Sequence, residues 1–454
     1  MDLLAAARAT SGRLVGSNVN FHGVSTDSRT IKGGQLFVAL RGESFDGHHY
    51  LANAAARGAV AAIVAEDATC DATLSLLRVA DTRLALGALA ADWRRRFTLP
   101  LLAVTGSNGK TTTKEMIASI LRSAYGDAVL STSGNLNNDI GLPLTLFQLA
   151  AEHRAAVVEM GMNHPGEIAY LAGLARPDIA LVTNAQRAHL AGLGSTAAIA
   201  EEKGSIFSGL IDGGVAIFGA DDRWTELWRA QCGAACRPMT FGIERPADVR
   251  GEWSTHGLES RLLLRTAAGE REVVLALPGR HNAYNALAAA TACLASRVSL
   301  DDVASGLSAF RGIKGRLQRR AARHGAVLLD DTYNANPDSV RAGIDVLAAT
   351  VGKKVLVLGD MGEIGEMSGQ FHDEIGGYAK SQGIDRLLAF GTLSALAARN
   401  FGAGGEHYEK IEALIDALDA EMGPQTTVLV KGSRFMHMER VADAIGVPPI
   451  LGEQ

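Results

Sequence analysis

Long apolar runs are missing from this 454-residue chain. No stretch reaches the roughly eighteen apolar residues that a helical membrane span needs, so none is expected. An excess of positive charge is missing too: the formal net charge is -5. No Lys/Arg cluster is interleaved with aromatics, so a nucleic-acid partner is not expected. The run Arg94-Arg95-Arg96 reads as the end of a helix or a solvated face. The start, MDLLAAARAT, lacks a cationic segment leading into an apolar one, so export is not expected. Cysteine is scarce: Cys70, Cys232, Cys236 and Cys293 are scattered, and the 232/236 pair has no His or Cys partner at metal spacing. Buried or idle thiols in a reducing cytoplasm are the expectation. Repeats of fixed period and low-complexity segments are also absent.

What the chain does have is 47% apolar residues and 51 glycines, the make-up of a folded protein. Its length exceeds one core and predicts roughly two to four domains. From residue 101 onward, short apolar runs alternate with helical patterns. LLAVTG, AVVEMG, IALVTNA and VAIFGAD form one set; AVLLDDT, KVLVLGD, RLLAFG and TVLVKGS form a second. Such alternation predicts βαβ units and parallel sheets, hence two α/β domains. Residues 237–277 between them read as an antiparallel appendage. Residues 1–98 carry their own strand and helix signals, with Pro100 as a boundary. The Gly- and Arg-rich stretch 312–325 reads as a hinge. The strands run out into polar sequence, namely TGSNGKTT, EMGMNHPGE, TNAQRAHL, GADD, DDTYNANP, GDMGE and KGSR. Ligands of open parallel sheets sit beyond these carboxyl ends.

The segment AVTGSNGKTTTKEM (103–116) is close to a phosphate loop. The strict pattern has Gly, four residues, Gly, Lys and Ser or Thr. Gly109-Lys110-Thr111 fits, but Val104 stands where the first Gly belongs and Gly106 comes two residues late. A strand precedes the loop. A helix follows it, with Met116, Ile117, Ile120, Leu121 and Ala124 on one face and Gly126 as its stop. Backbone N–H groups and a helix N-terminus attract phosphate oxygens. Lys110 would reach the β/γ-phosphates, and Thr111 or Thr112 would offer a hydroxyl to Mg²⁺.

Glu159 ends a neighbouring strand and is either solvated or a Mg²⁺ ligand, since hard cations favour carboxylates. His189, after IALVTNA, is either structural or a second candidate. Lys203, in AAIAEEKGSIFSGL, is the odd residue. As an ammonium facing a metal it would be repelled by roughly 4 kcal/mol per unit-charge pair at about 4 Å. Spacing alone favours a solvent-facing Lys203; carboxylation by CO₂ would reverse its charge.

TGSNGKTTTKEM, GNLNNDIGLP (134–143), VVEMGMNHPGEI (157–168), GRHNAYNALAA (279–289), DDTYNANPDSV (330–340) and VKGSR (430–434) together resemble, in order, the ATP-dependent Mur ligases of peptidoglycan synthesis. The resemblance runs from about residue 25 to 434. The family's loop is TGxxGKT, which removes the difficulty at Val104. The fold implied is α/β in three domains. These are an N-terminal UDP-sugar-binding domain (1–98), a central ATP-binding P-loop parallel-sheet domain (99–317) and a C-terminal Rossmann-like ligase domain (318–454). The activity implied is ATP-dependent amide ligation through an acyl phosphate in the cytoplasm, by a monomer. The motifs resemble most the branch that joins D-alanyl-D-alanine to a UDP-N-acetylmuramoyl tripeptide. Alternatives are the ligase adding the third amino acid, whose Asp-Asn-Pro-Arg segment is absent, folylpolyglutamate synthase, and a non-ligase P-loop module.

Residue roles follow from the resemblance. Thr105, Gly106, Ser107, Asn108, Gly109, Lys110, Thr111 and Thr112 would hold the ATP phosphates. His281, Asn282 and Asn285 would frame the adenine; Arg316 would reach the phosphates; Asp331 (or Asp330), Tyr333 and Asn336 would close over the nucleotide. Thr111, Glu159, His189 and a carbamylated Lys203 would hold two Mg²⁺ ions, which reverses the solvent reading of Lys203. Lys110, Lys203, His189 and Arg316 form the implied catalytic set. Asn135, Asn138, Asn163, His164, Lys431, Ser433 and Arg434 would contact the substrates. In the segment 25–50, Ser28, Arg29, Phe37, Asp46 and His48 would bind the UDP-sugar. Asp360 and Glu363 of the acidic loop 359–367 would either steer the dipeptide's ammonium group or simply face solvent.

Overall fold

The computed structural model describes residues 1–69, 73–188, 190–234 and 236–447. Three sheets organise them. The first has five strands in the order Arg13–Val15, Ser75–Val79, Ala61–Ala65, Leu36–Val38 and Val24–Ser25. Only its first pair is antiparallel. Alternation along Leu36–Val38 sends Leu36 and Val38 to one face, against Leu86 and Leu89 of the helix Thr82–Arg94. Phe37 goes to the other face, with Ile31, Leu51 and Ala54.

The central sheet has nine strands. Their order is Gly269–Leu275, Glu259–Thr266, Val249–His256, Arg237–Gly242, Val215–Gly219, Ile179–Val182, Leu101–Thr105, Ala155–Glu159 and Val129–Ser131. Pairing is parallel from the last of these up to Val249–His256, then antiparallel. The inner strands LLAVT, AAVVE and VAIFG are buried along their whole length, as expected of a sheet covered on both faces. The antiparallel pair 259–275 is not a separate appendage. Ser260, Leu262 and Leu264 alternate with more exposed neighbours, so one face joins the central core and extends the sheet.

The third sheet has six strands, in the order Gln318–Ala321, Val327–Asp331, Thr426–Lys431, Lys353–Gly359, Arg386–Phe390 and Gly405–Tyr408. Only its first pair is antiparallel. Between the second and third sheets, Gly312, Gly315 and Leu317 all have positive φ, Leu317 at 54° without being glycine. The Asp331 carboxylate holds that turn by accepting from the Leu317 N–H at 3.1 Å.

Arg94 departs from the solvated reading of its run. It is 7% exposed, donates to the carbonyls of Ala175 (3.1 Å) and Phe97 (2.6 Å), and pairs with Asp178. Arg95 and Arg96 are exposed and pair with Asp92. Cys232 and Cys293 are buried free thiols and Cys236 is partly buried; burial pushes Cys232 up to about 11. Cys70 lies outside the described residues. No helix among the described residues is long and apolar enough to cross a membrane.

Candidate active site

A cavity of about 830 Å³ lies where the three sheets face one another. Its walls come from Arg83 of the N-terminal region, from Ser107–Thr112 of the central sheet, and from Asp331, residues 333–336 and Lys431 of the third. The strand Leu101–Thr105 explains the placement. It pairs with Ala155–Glu159 on one side and Ile179–Val182 on the other, so the turn at its end meets Glu159 and the loop 183–187.

That turn is rigid. Asn108 N–H donates to Asn184 Oδ1 (3.0 Å), while Asn108 C=O accepts from Thr183 Oγ1 (2.7 Å) and Asn184 Nδ2 (3.0 Å). Ser107 Oγ accepts from Gln186 N (2.9 Å) and donates to its carbonyl (3.1 Å). Gly109, at φ 80°, starts the helix Lys110–Tyr125; a Cβ there would meet Asn285 Oδ1 at 2.2 Å. Only glycine fits that conformation without strain.

Two cations stand over the turn. Lys110 Nζ folds back on the Gly106 (2.7 Å) and Ser107 (3.2 Å) carbonyls. Burial lowers its pKa; Glu159 opposes the fall and Arg316 adds to it. Arg316 Nη2 donates to Thr111 Oγ1 at 3.2 Å, with its guanidinium 3.8 Å above the Tyr333 ring.

Glu159 and Lys203 are both buried. Glu159 Oε1 accepts from Asn137 Nδ2 at 2.8 Å; its Oε2 and Lys203 Nζ have no hydrogen-bond partner among the described residues. Buried polar atoms without partners are rare. A carboxylate oxygen left bare beside the 106–111 turn fits a hard cation. Burial pushes the Lys203 ammonium well down, and the Lys110 charge adds to that. His189 lies outside the described residues. Among the described residues, no group of three or more His, Cys, Asp or Glu converges on one point.

The third sheet closes the cavity. Lys431 Nζ donates to Asp331 Oδ2 (2.6 Å) and the Asn334 carbonyl (2.9 Å). Ser433 Oγ donates to the Ala335 carbonyl and accepts from Gly362 N. Asn336 caps the helix Pro337–Ala348 and donates across the cleft to Asn108 Oδ1 at 2.8 Å. Beside it, Asp338 takes the Arg187 guanidinium and backbone N–H in four contacts of 2.6 to 3.2 Å.

The cavity lining includes Ser107 to Thr112, Asn135, Asn138, Glu159, Asn163, His164, His281, Asn282, Asn285, Arg316, Asp331, Tyr333, Asn336 and Lys431. Several of their side chains are already engaged. Asn138 Oδ1 caps Ile140 and Gly141, Asn282 Nδ2 donates to the Pro278 carbonyl, and burial lowers the His281 pKa. Thr105 is fully buried and its hydroxyl donates to the Met160 carbonyl, so its side chain shapes the strand end. Asp330 is likewise sealed away from the cleft, against Arg320 and Thr332. Arg434 is exposed and pairs with Glu439.

The N-terminal candidates lie apart from this cavity. Ser28, Arg29, Phe37, Asp46 and His48 do not line the cavity. Phe37, 1% exposed, is core because Ile31, Leu51 and Ala54 cover the sheet face it points to. His48 has both ring nitrogens engaged, Nδ1 with Asp46 at 2.5 Å and Nε2 accepting from Ala65 N at 2.9 Å. Asp46 also caps its own turn, and Arg29 pairs with Asp27. Asp360 does not face incoming substrate; its carboxylate accepts from the Leu393 and Ser394 N–H groups and anchors that loop. Sequence reasoning missed Asn137, Arg187, Asp338, Arg83 and Asp139. The capping pattern at Asn336 was a usable signal for the helix start that carries Asp338.

Comparison with known proteins follows the same division. The Mur ligase family catalytic-domain description matches residues 20–94, the Mur ligase middle domain 104–293, and the Mur ligase glutamate ligase domain 315–434. A UDP-N-acetylmuramoyl-tripeptide–D-alanyl-D-alanine ligase of Escherichia coli is 43% identical over 447 residues, 96% of each chain. Its Haemophilus influenzae counterpart is 39% identical, with 97% of each covered. A crystal structure of MurF from Acinetobacter baumannii superposes with a TM-score of 0.90 at 38% identity, covering 97% of this chain and 98% of that one. A folylpolyglutamate synthase of Mycobacterium tuberculosis, 19% identical with a TM-score of 0.63, shares the fold alone. With a phosphate turn, a bare buried carboxylate and three facing sheets in one frame, and with relatives alike over nearly the whole length, this chain belongs to the Mur ligase family.

Proposed function

We propose that the protein joins D-alanyl-D-alanine to a UDP-N-acetylmuramoyl tripeptide, consuming ATP and releasing ADP and phosphate. The observation that carries this reading is Lys110 and Arg316 set over a rigid phosphate turn beside the bare Glu159 oxygen. The named relatives support the choice of acceptor and amine. The tripeptide's terminal carboxylate attacks the γ-phosphorus, ADP leaves, and an acyl phosphate forms. The dipeptide's amine then attacks the acyl carbon, the tetrahedral adduct collapses, and phosphate departs.

The first step brings two anionic groups together, so charge neutralisation and positioning dominate its barrier. Lys110 and Arg316 supply positive charge, and the backbone of Ser107–Thr112 orients the phosphates. Thr111, Glu159, His189 and Lys203 would hold two magnesium ions, which neutralise phosphate charge when bound. Lys203 fits that role as a carbamate. Burial favours its neutral amine, the form that adds CO₂ through nitrogen and loses a proton to leave an anion. The third sheet, tied to the turn through Asn336 and Asp338, keeps water from the acyl phosphate. We place the reaction in the cytoplasm and expect a monomer.

Mass spectrometry of a mixture of ATP, Mg²⁺, UDP-muramoyl-tripeptide and D-alanyl-D-alanine tests the proposal. The expected product is the UDP-muramoyl-pentapeptide. Recovery of the tripeptide and D-alanyl-D-alanine unjoined, with none of the pentapeptide, would overturn it.

A further inference from the structure

The loop 134–141 touches two parts of the molecule at once. On the central side, Asn137 Nδ2 donates to Glu159 Oε1 at 2.8 Å, and the Asn137 carbonyl accepts from Gly161 N at 2.8 Å. On the N-terminal side, Asp139 accepts from Arg83 Nη2 at 2.7 Å, and Ile140 packs against the N-terminal core. Arg83 lies in the first turn of the helix Thr82–Arg94 and is the described N-terminal residue that lines the cavity wall.

The stretch between these contacts is stiff. Asn138 Oδ1 accepts from Gly141 N at 2.9 Å, Leu142 N donates to the Asn138 carbonyl at 2.8 Å, and a Cβ at Gly141 would meet the Leu136 backbone at 2.4 Å. These contacts brace the loop on both sides of Asp139, two residues from Asn137.

We propose that the Arg83–Asp139 ion pair, acting through Asn137, sets the orientation of the Glu159 carboxylate. The N-terminal region thereby reports its position to the cation site. Asp139 and Asn137 are positioning residues, and neither needs to touch substrate. Arg83 is half exposed in the cleft (side chain 52%), where an anionic group of the UDP-linked substrate can compete with Asp139 for its guanidinium. The inference rests on Glu159 being a cation ligand.

Manganese binding to the full chain in the presence of ADP, followed by electron paramagnetic resonance, tests it without any turnover. Asn137→Ala is expected to weaken Mn²⁺ binding about tenfold, the usual effect of removing a partner that orients a ligand. Arg83→Gln and Asp139→Asn are each expected to weaken it about threefold, the scale of a partly exposed ion pair. The double variant should be no worse than either single one, and the exchange Arg83→Asp with Asp139→Arg should restore affinity. ADP binding without metal should stay unchanged throughout. Wild-type Mn²⁺ affinity in both single variants, or additive losses in the double, overturns the relay while leaving Glu159 as a ligand. A wild-type protein that binds no Mn²⁺ with ADP overturns both readings.

Discussion

Replacing Arg316 with Gln removes one of the two cations over the phosphate turn. Its guanidinium reaches Thr111 Oγ1 at 3.2 Å, and a phosphate oxygen in direct contact with the guanidinium would sit about 4 Å from the charge. At that distance and an effective dielectric near 20, a unit-charge pair is worth about 4 kcal/mol. At about 1.4 kcal/mol per decade, kcat should fall roughly a thousandfold. The stack on Tyr333 is lost as well, which loosens the turn at Leu317. Arg316→Lys keeps the charge but not the planar stack, so it should recover only part of the rate. The assay is steady-state phosphate release with saturating tripeptide and dipeptide, separating kcat from the KM for ATP. If Arg316→Gln keeps kcat within about tenfold of wild type, smaller than any full charge contact should cost, the electrostatic account of this site is wrong.

Lys203→Met should abolish ligation yet leave the fold as stable or more stable. The folded-state pKa of Lys203 lies below the ordinary 10.5. Between those two values the unfolded chain binds the extra proton, so stability rises with pH until 10.5 is passed. The variant should flatten that rise in CO₂-free buffer, and thermal unfolding across about pH 7 to 10 measures it; a lowered Tm would contradict the argument. Arg187→Ala breaks three side-chain contacts between the central and third sheets, and Asp338→Asn removes the charge they bond to, each bond to a charged group being worth about 1.5–3 kcal/mol. The radius of gyration from small-angle scattering should grow at unchanged circular dichroism; no growth would mean that other contacts hold the closure. Phe37→Ala should cost about 3–5 kcal/mol in denaturant unfolding because Phe37 is core. A raised KM for the UDP-substrate at unchanged stability would restore it as a ligand contact.

The eight apolar runs after residue 100 were legible as strands because β-rich segments punctuated by Gly and polar residues have few other uses. Their carboxyl ends located the cleft for the same reason. Roles within the cleft were harder to read. Along Leu36–Val38 a shift of one position turns a side chain from one face to the other, and no local spacing rule chose the face of Phe37. Arg187 and Asp338 stand 151 residues apart, so their pairing exists only once two sheets have docked. Lys203 is the sharpest case. Helical spacing allowed it a solvated face, and only burial without an acceptor shows that an ordinary ammonium does not belong there. His48 and Glu159 mark the two outcomes for a polar residue in a chain of this kind. Neighbours from the fold have claimed both nitrogens of the first. The second keeps one oxygen that no neighbour among the described residues has claimed, and that remainder is what a site has to offer. Residue type sets the chemistry a position can perform, but the bonds already formed around it decide whether that chemistry is still available.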